Sequence, residues 1–598
     1  MTDLLKRIFN LLPLPDRKKG AFLVFLMLIT SLFDALGIAS VMPFMAVIVN
    51  PKLIEASKIL TFIYFRLNFS EEKDFIFFLG ISSLAILLVS LLLRSYVLYA
   101  QTKFASLCEH ALSNRLFECY LRQKYSSFLN LNSAELGKSI LSEVGQVIQG
   151  GVLPFMTLLS QSFTAISIIS LLLWYDFKLA LIVTCSLGSA YVTIYLLTKR
   201  FLSRIGHERY FDNQSRFAII SEAFRAIKEV KFSGLEELYL NRFNAPSRRH
   251  ALNTAYASIV VQIPRFGLEI VVFGGMLGLM LYFLSIGGGV VAALPIISLY
   301  ALAGYKLMPT LQQIYGSFSN LKFAKESVES ICLHLNELNV NIDELESGNR
   351  LNCLQQFSKI SLKDLSFRYP GAKSYAIKDF SMDIEVNTII GLVGSTGCGK
   401  TTLIDLILGL LEPSSGVISI DKLQIDNKNI KTLQRIIGYV PQQIYLSDDT
   451  ISANIAFGEV REAIDQRAVE SAAKVSKLHE FIVSDLPRGY QTIVGEGGIR
   501  LSGGQRQRIG IARALYRSPK ILIFDEATSA LDNLTEKIVM EAIKKLSQRV
   551  TVIMVAHRLE TVRQCDAIYL LQDGQLAACG SYEALLEKSS LFRKMVKS

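Results

Sequence analysis

Three short stretches carry residue types whose spacing suits work on a phosphoanhydride. Gly394-Ser395-Thr396-Gly397-Cys398-Gly399-Lys400-Thr401, extended to Thr402, satisfies the phosphate-loop pattern G-x-x-x-x-G-K-[ST]. Its glycines let backbone N–H groups turn toward β- and γ-phosphates, Lys400 supplies a cation, and Thr401 offers a hydroxyl to Mg²⁺. Ile521-Leu522-Ile523-Phe524 is an apolar run ending in Asp525 and Glu526. The first carboxylate suits the metal side of phosphoryl transfer and the second is placed to polarise an attacking water. Leu501-Ser502-Gly503-Gly504-Gln505 is a second Gly-rich turn opening a helical stretch, an anion cradle without a lysine. Two unlike phosphate cradles in one domain point to a nucleotide shared between two copies.

These residues need a rigid frame. Thr388–Val393 reads as a buried strand feeding the phosphate loop, and Thr551–Val555 as another, ending at Ala556-His557-Arg558. His557, one of only six histidines, stands where it can contact a γ-phosphate oxygen. From about Lys359 onward, short β-like runs alternate with helical patterns, which predicts an α/β domain with parallel strands over 358–598.

The remainder is of another kind. The chain has 598 residues, 51% of them apolar, and a net charge of +11. A spanning helix needs about 20 mostly apolar residues, and six segments qualify: 21–49, 75–99, 152–175, 179–197, 266–285 and 290–314. The expectation is an all-α membrane domain over 21–335, preceded by an amphipathic helix (1–20) lying on the membrane surface and followed by a polar linker (336–357). Asp176-Phe177-Lys178 and Ile286-Gly287-Gly288-Gly289 make tight external turns. The long loops after spans two and four are rich in Lys and Arg, which makes their side cytosolic. They read as helical extensions into the cytosol. The basic charge flanks apolar spans, as in Lys199, Arg200 and Arg204, so nucleic acid is not the expected partner. Eight scattered cysteines, without a CxxC pair, do not suggest disulfides. Lys58–Leu67, between spans one and two, reads as a short external amphipathic helix.

The ordered motif set resembles that of the ATP-binding cassette exporters, in their half-transporter form with the type IV exporter fold. The resemblance covers nearly the whole chain and implies ATP and Mg²⁺ as cofactors, a homodimer, and an integral membrane protein of the bacterial inner membrane with its nucleotide domain in the cytoplasm. It also implies residue roles. Tyr369 stacks on adenine, and Gln442 in Tyr439-Val440-Pro441-Gln442 senses Mg²⁺ and the membrane domain. Ser502 and Gly504, with Gly503 and Gln505, close over ATP held by the partner copy. Asp525 is the metal carboxylate, Glu526 the catalytic base, His557 the switch histidine and Asp532 part of the cross-dimer loop.

The membrane half is similar to bacterial flippases for lipid-linked oligosaccharides of the PglK type, on Ser40-Val41-Met42-Pro43-Phe44, on Ile263-Pro264-Arg265 with Glu269, and on Lys306-Leu307-Met308-Pro309. That implies a membrane-lipid cargo, a polyprenyl-pyrophosphate glycan moved to the outer leaflet. A lipid A-type lipid or a peptide is the alternative. Arg94, Arg265 and Lys306 are ionisable residues in or beside spans, and such residues default to a functional role. Arg94 and Lys306 lie roughly 24–30 Å along their spans at about 1.5 Å per residue. The expectation is that all three sit toward the cytosolic leaflet and meet an anionic head group. Gln312 and Gln313 stand where the resemblance leads one to expect a further cation.

Overall fold

The computed structural model describes residues 2–11, 14–49, 51, 53–67, 69, 71–129, 133–285, 290–339, 357–426, 429–526, 541–542, 544, 549–556 and 559–597. By contact the chain divides into two units, 1–123 with 130–340, and 124–129 with 341–598.

The first unit is helical throughout. Helix α1 (Thr2–Leu11) precedes α2 (Leu14–Val49), then α3 (Leu53–Ala56), α4 (Lys58–Arg66) and α5 (Glu72–Leu121). After the first unit's gap at 124–129 come α7 (Ser133–Lys138), α8 (Val144–Val147), α9 (Leu153–Tyr175), α10 (Phe177–Arg225), α11 (Ile227–Phe232), α12 (Glu236–Ser285), α13 (Val290–Phe323) and α14 (Lys325–Asn339). Helix α6 (Tyr125–Phe128) belongs by contact to the second unit. Two π-helical turns, Ser139–Glu143 and Ile148–Val152, join α7, α8 and α9 into one rod. Among the described residues, four helices are long and apolar enough to cross a membrane: Lys18–Val49, Glu72–Leu121, Glu135–Tyr175 and Ala180–Arg225. The stretches 266–285 and 290–314 fall within α12 and α13. Helix α4 occupies the loop between the first two spans, its Tyr64 edge-on to Phe75 at 5.2 Å.

The N-terminus departs from the sequence expectation. Residues 14–20 continue into α2, and only α1 is a separate helix. The apolar side of α1 is turned into protein: Leu4, Ile8 and Leu11 are buried, and a Cβ at Gly151 would meet Ile8. The face assigned to a membrane surface is thus covered, because α14 offers it an apolar partner at Val328.

Apolar helices in lipid associate through small residues and polar contacts rather than hydrophobic burial. Ser83 Oγ donates to the Ser40 carbonyl at 2.8 Å, and Ser167 lies 3.3 Å from Ser31. Beyond the spans the interhelical contacts become ionic. Arg209 and Asn213 donate to Glu143 at 3.2 and 2.9 Å, all three buried, and Arg249 pairs with Asp212 at 2.7 Å.

The second unit is α/β. A six-stranded sheet runs in the order β10-β9-β3-β8-β7-β6. Its strands are β3 (Ile389–Gly394), β6 (Ile437–Val440), β7 (Ile521–Asp525), β8 (Thr551–Val555), β9 (Ala567–Gln572) and β10 (Gln575–Gly580). All neighbouring pairs are parallel except β9–β10. Strands β3, β7 and β8 are buried at every position, as a parallel sheet covered on both faces requires. A four-stranded antiparallel sheet, β2-β1-β4-β5, is built from β1 (Lys359–Phe367), β2 (Ile377–Glu385), β4 (Ser415–Ile420) and β5 (Leu423–Gln424). The helices that matter here are α15 (Lys400–Ile407), which follows β3, and α16 to α19 (Ile430–Ile436, Ile451–Ile455, Gln466–Val475, His479–Ser484) with α20 (Gly503–Tyr516). Of the 336–357 linker, 336–339 still belong to α14 and 340–356 lie outside the described residues.

Candidate nucleotide site and membrane cavity

Strand register brings the nucleotide motifs together. Leu392 pairs with Val555, Asp525 with Val555, and Val440 with Phe524. The phosphate loop, the Asp525-Glu526 pair and Gln442 therefore leave the sheet at the same carboxyl-terminal edge, where open α/β sheets bind their ligands. His557 follows Val555 by two residues, but His557 and Asp532 lie outside the described residues.

The phosphate loop folds as its sequence requires. Ser395, Thr396 and Gly397 are exposed, while Cys398 and Lys400 are buried. Gly399 is the N-cap of α15 at φ 105°, and a Cβ there would lie 2.6 Å from the Ala376 carbonyl. Only glycine turns the chain into the helix here. Lys400 Nζ donates to the carbonyls of Gly394 and Ser395 at 2.9 and 3.0 Å, so it bends back over the loop. Thr401 is exposed beside it. Tyr369 lies against the same turn, its Oη 3.0 Å from Thr402 Oγ1 and its ring edge-on to Phe367 at 5.0 Å.

Cys398 is enclosed by the loop it belongs to. A helix N-terminus and a nearby lysine would make an accessible thiol reactive. The Cys398 side chain points inward instead, 3% exposed, and a Cβ on Gly394 would lie 2.5 Å from its sulfur. No reagent reaches it without opening the loop.

Gln442 Nε2 donates to Glu526 Oε2 at 2.6 Å. Glu526 holds φ at 51°, in the left-handed region, and its N–H donates to the Val555 carbonyl at 3.2 Å. A non-glycine residue so placed is strained by roughly 1–3 kcal/mol, and such strain clusters at functional sites. Asp525 accepts from Tyr439 Oη at 3.2 Å. Near it lies Asp405 of α15, a helix acid that no motif marks. Burial, with Asp525 nearby, pushes its carboxyl up to about 6. Burial and Asp525 also push the Tyr439 phenol upward.

The donor set fits Mg²⁺ and ATP. The hydroxyl of Thr401, the carboxylate of Asp525 and the amide oxygen of Gln442 are hard oxygen donors, which suits a small divalent cation shared with phosphate oxygens. The cradle accepts phosphates because a Cβ is excluded at Gly399 and α15 points its N-terminus at the loop.

Ser502 caps α20. Its hydroxyl accepts from Gln505 N at 3.2 Å, while Gln505 Oε1 accepts from Ser502 N at 2.8 Å. Among the described residues, no hydrogen bond or ion pair joins Ser502, Gly503, Gly504 or Gln505 to the phosphate loop.

In the membrane unit, the three expected cations have separate surroundings. Lys306 of α13 forms an ion pair with Asp34 of α2, and Ser90 Oγ of α5 donates to the same carboxylate. Asp34 is 2% exposed. Lys306 is thus already neutralised, which corrects its reading as an open cation. Asp34 escaped the sequence reading, although a lone acid inside a long apolar run signals an intramembrane partner. Arg94 is half-buried on α5 and has no ion-pair partner among the described residues. Arg265 pairs with Glu269 one turn on, at 2.9 Å.

Arg265 also lines a cavity of about 480 Å³ between α9, α12 and α13, together with Thr157, Gln312, Gln313 and Asn320. Pro264 directly precedes Arg265 in α12. Proline has no N–H to offer the carbonyl four residues earlier, and that carbonyl, Val260 O, accepts from Tyr315 Oη at 3.1 Å instead. Neither Arg94 nor Lys306 lines this cavity.

A parallel-sheet phosphate-loop domain with an Asp-Glu pair, fused to a bundle of apolar helices, defines an ATP-hydrolysing membrane transporter. Two family models match the chain: "ABC transporter" over residues 377–529 and "ABC transporter transmembrane region" over residues 20–283. The ATP-dependent lipid A-core flippase of Saccharophagus degradans is 31% identical over 490 residues, 81% of each chain. That of Chromobacterium violaceum is 30% identical over 81% of this chain and 83% of its own. A bacterial Atm1-family ABC exporter, solved with ATP bound, matches in fold with a TM-score of 0.74 at 22% identity, covering 97% of both chains. The chain belongs to the ABC transporter family, as a multi-pass membrane protein that couples ATP hydrolysis to transport.

Proposed function

We propose that the chain works as a homodimer in the bacterial inner membrane and flips a phosphorylated, glycan-bearing lipid of the lipid A-core type from the cytosolic to the outer leaflet. Relatives at 30–31% identity over four-fifths of the chain carry that activity in their names. The observation that carries the reading within this molecule is the cavity at Arg265, where a guanidinium paired to Glu269 stands among the side-chain amides of Gln149, Gln312, Gln313 and Asn320.

In the motor, backbone amides of Ser395 to Gly399 and Lys400 would hold the phosphates, Tyr369 the adenine, and Thr401, Asp525 and Gln442 the Mg²⁺. The metal supplies charge neutralisation on the transferred phosphoryl group. Glu526 would accept the proton of the attacking water, and its hydrogen bond from Gln442 Nε2 leaves the Gln442 amide oxygen available to the metal. His557 contacts the γ-phosphate. Ser502, Gly503, Gly504, Gln505 and Asp532 act across the dimer, on the partner copy's nucleotide.

The polyprenyl-pyrophosphate glycan is the second reading. The helix α4 in the external loop favours it, since that element accompanies the resemblance to oligosaccharide flippases. Competition separates the two: purified protein is reconstituted, and lipid A-core glycolipid and polyprenyl-pyrophosphate glycan are each tested for stimulation of ATPase. Stimulation by the second alone would displace the first reading.

A further inference from the structure

A second cavity of about 680 Å³ lies apart from the Arg265 cavity, between α10 and the junction of α13 with α14. Lys199, Arg200, Ser203, Arg204, His207 and Glu208 line it from α10, and Lys322 and Glu326 from the other side. The α10 residues recur at three- and four-residue intervals, so they share one helix face. A close crossing builds the groove: a Cβ at Gly206 would lie 2.3 Å from the Phe323 carbonyl, so only glycine lets the two backbones meet there. Leu202 and Ile205 pack with Phe323 behind it.

The charges of this groove are unbalanced. Glu208 is taken by Arg204 at 2.8 Å, and Glu326 faces His207 at 3.4 Å. Lys199, Arg200 and Lys322 have no ion-pair or hydrogen-bond partner among the described residues. Three free cations and the Ser203 hydroxyl therefore converge on one hollow. The hollow begins directly after the apolar stretch 179–197, on the side that the Lys and Arg of the flanking loops mark as cytosolic. Basic pockets between helices on the cytosolic side suit anionic head groups.

We propose that this groove is a binding site for the phosphate of an anionic inner-leaflet phospholipid, separate from the cargo cavity. Lys199, Arg200 and Lys322 neutralise the phosphate and Ser203 donates a hydrogen bond to it. The site does not depend on which glycolipid is transported.

The test uses the full-length protein in nanodiscs of phosphatidylcholine with phosphatidylglycerol, released gently and weighed by native mass spectrometry. Wild type should retain phosphatidylglycerol, and Lys199→Gln/Arg200→Gln/Lys322→Gln should retain about ten-fold less. The charge-conserving triple Lys199→Arg/Arg200→Lys/Lys322→Arg should keep it. Should the neutral triple unfold early, Arg200→Gln and Lys322→Gln singly carry the same test, each expected to lower retention about three-fold. Retention unchanged in the neutral variants, or lost equally in the charge-conserving one, overturns the proposal. Displacement of the lipid by millimolar inorganic phosphate in wild type would overturn its assignment to a lipid and make the groove a soluble-anion site.

Discussion

Asp34 on α2 holds Lys306 on α13 in a buried ion pair, with Ser90 of α5 donating to the same carboxylate. Three helices are tied at one point inside the membrane unit. Removing one partner of a buried pair strands the other charge, which typically costs about 3–5 kcal/mol, while replacing both is often neutral. Asp34→Asn should therefore lower thermal stability in nanodiscs markedly, and Asp34→Asn/Lys306→Met should recover most of the loss. A single variant as stable as wild type would show that the pair does not tie these helices.

Glu526 hydrogen-bonds Gln442 and lies beside Asp525, the carboxylate proposed to hold Mg²⁺. Glu526→Gln should lower steady-state ATPase by roughly 10²–10⁴-fold, the usual range for loss of a general base, while ATP affinity stays near wild type. His557→Ala should impair turnover as well. Wild-type ATPase in Glu526→Gln would remove this residue from the role of base.

Cys398 should resist maleimide in the folded protein, because its sulfur is enclosed beneath the phosphate loop. Peptide mapping after labelling should find the exposed Cys579 modified and Cys398 unmodified until denaturant is added. Rapid labelling of native Cys398 would mean the loop opens far more than its packing implies.

Asp405 gives the nucleotide domain a pH dependence. Burial and Asp525 raise its carboxyl from 3.8 to about 6. The folded state therefore favours the protonated form. This contribution to stability is fully present below about pH 4 and is lost as pH rises through about 6. At neutral pH the ionised, buried Asp405 then costs on the order of 2–3 kcal/mol. In nucleotide-free protein, Asp405→Asn should raise the unfolding temperature at pH 7.5 and flatten its change between pH 4 and 6. An unchanged slope would place that pH dependence elsewhere.

The motor was legible because its chemistry is local. A phosphate loop needs its glycines and lysine at fixed offsets, so Gly394 to Thr402 could be read without any contact being known, and strand register then aligned Asp525 and Gln442 with it. In the membrane unit, four of the six expected spans fall in helices long and apolar enough to cross a membrane, where length and hydropathy suffice. Its polar wiring was not legible. Whether Lys306 is open or paired depends on Asp34, 272 residues away, and whether Cys398 is exposed depends on the direction of one side chain. Amphipathicity likewise could not tell whether α1 would meet lipid or α14. The Val260–Tyr315 contact is intermediate: Pro264 announces a released carbonyl, but not which donor takes it.

The central claim is tested most directly in vesicles that carry the purified protein and a labelled lipid A-core glycolipid in the nucleotide-facing leaflet, with ATP added outside. Wild type should move the label to the opposite leaflet only with Mg-ATP, and Glu526→Gln should abolish the movement. Arg265→Glu should slow it strongly while leaving basal ATPase largely intact, since a like charge in the cavity repels the phosphorylated head group. Movement independent of ATP, or unchanged by both substitutions, would contradict the account.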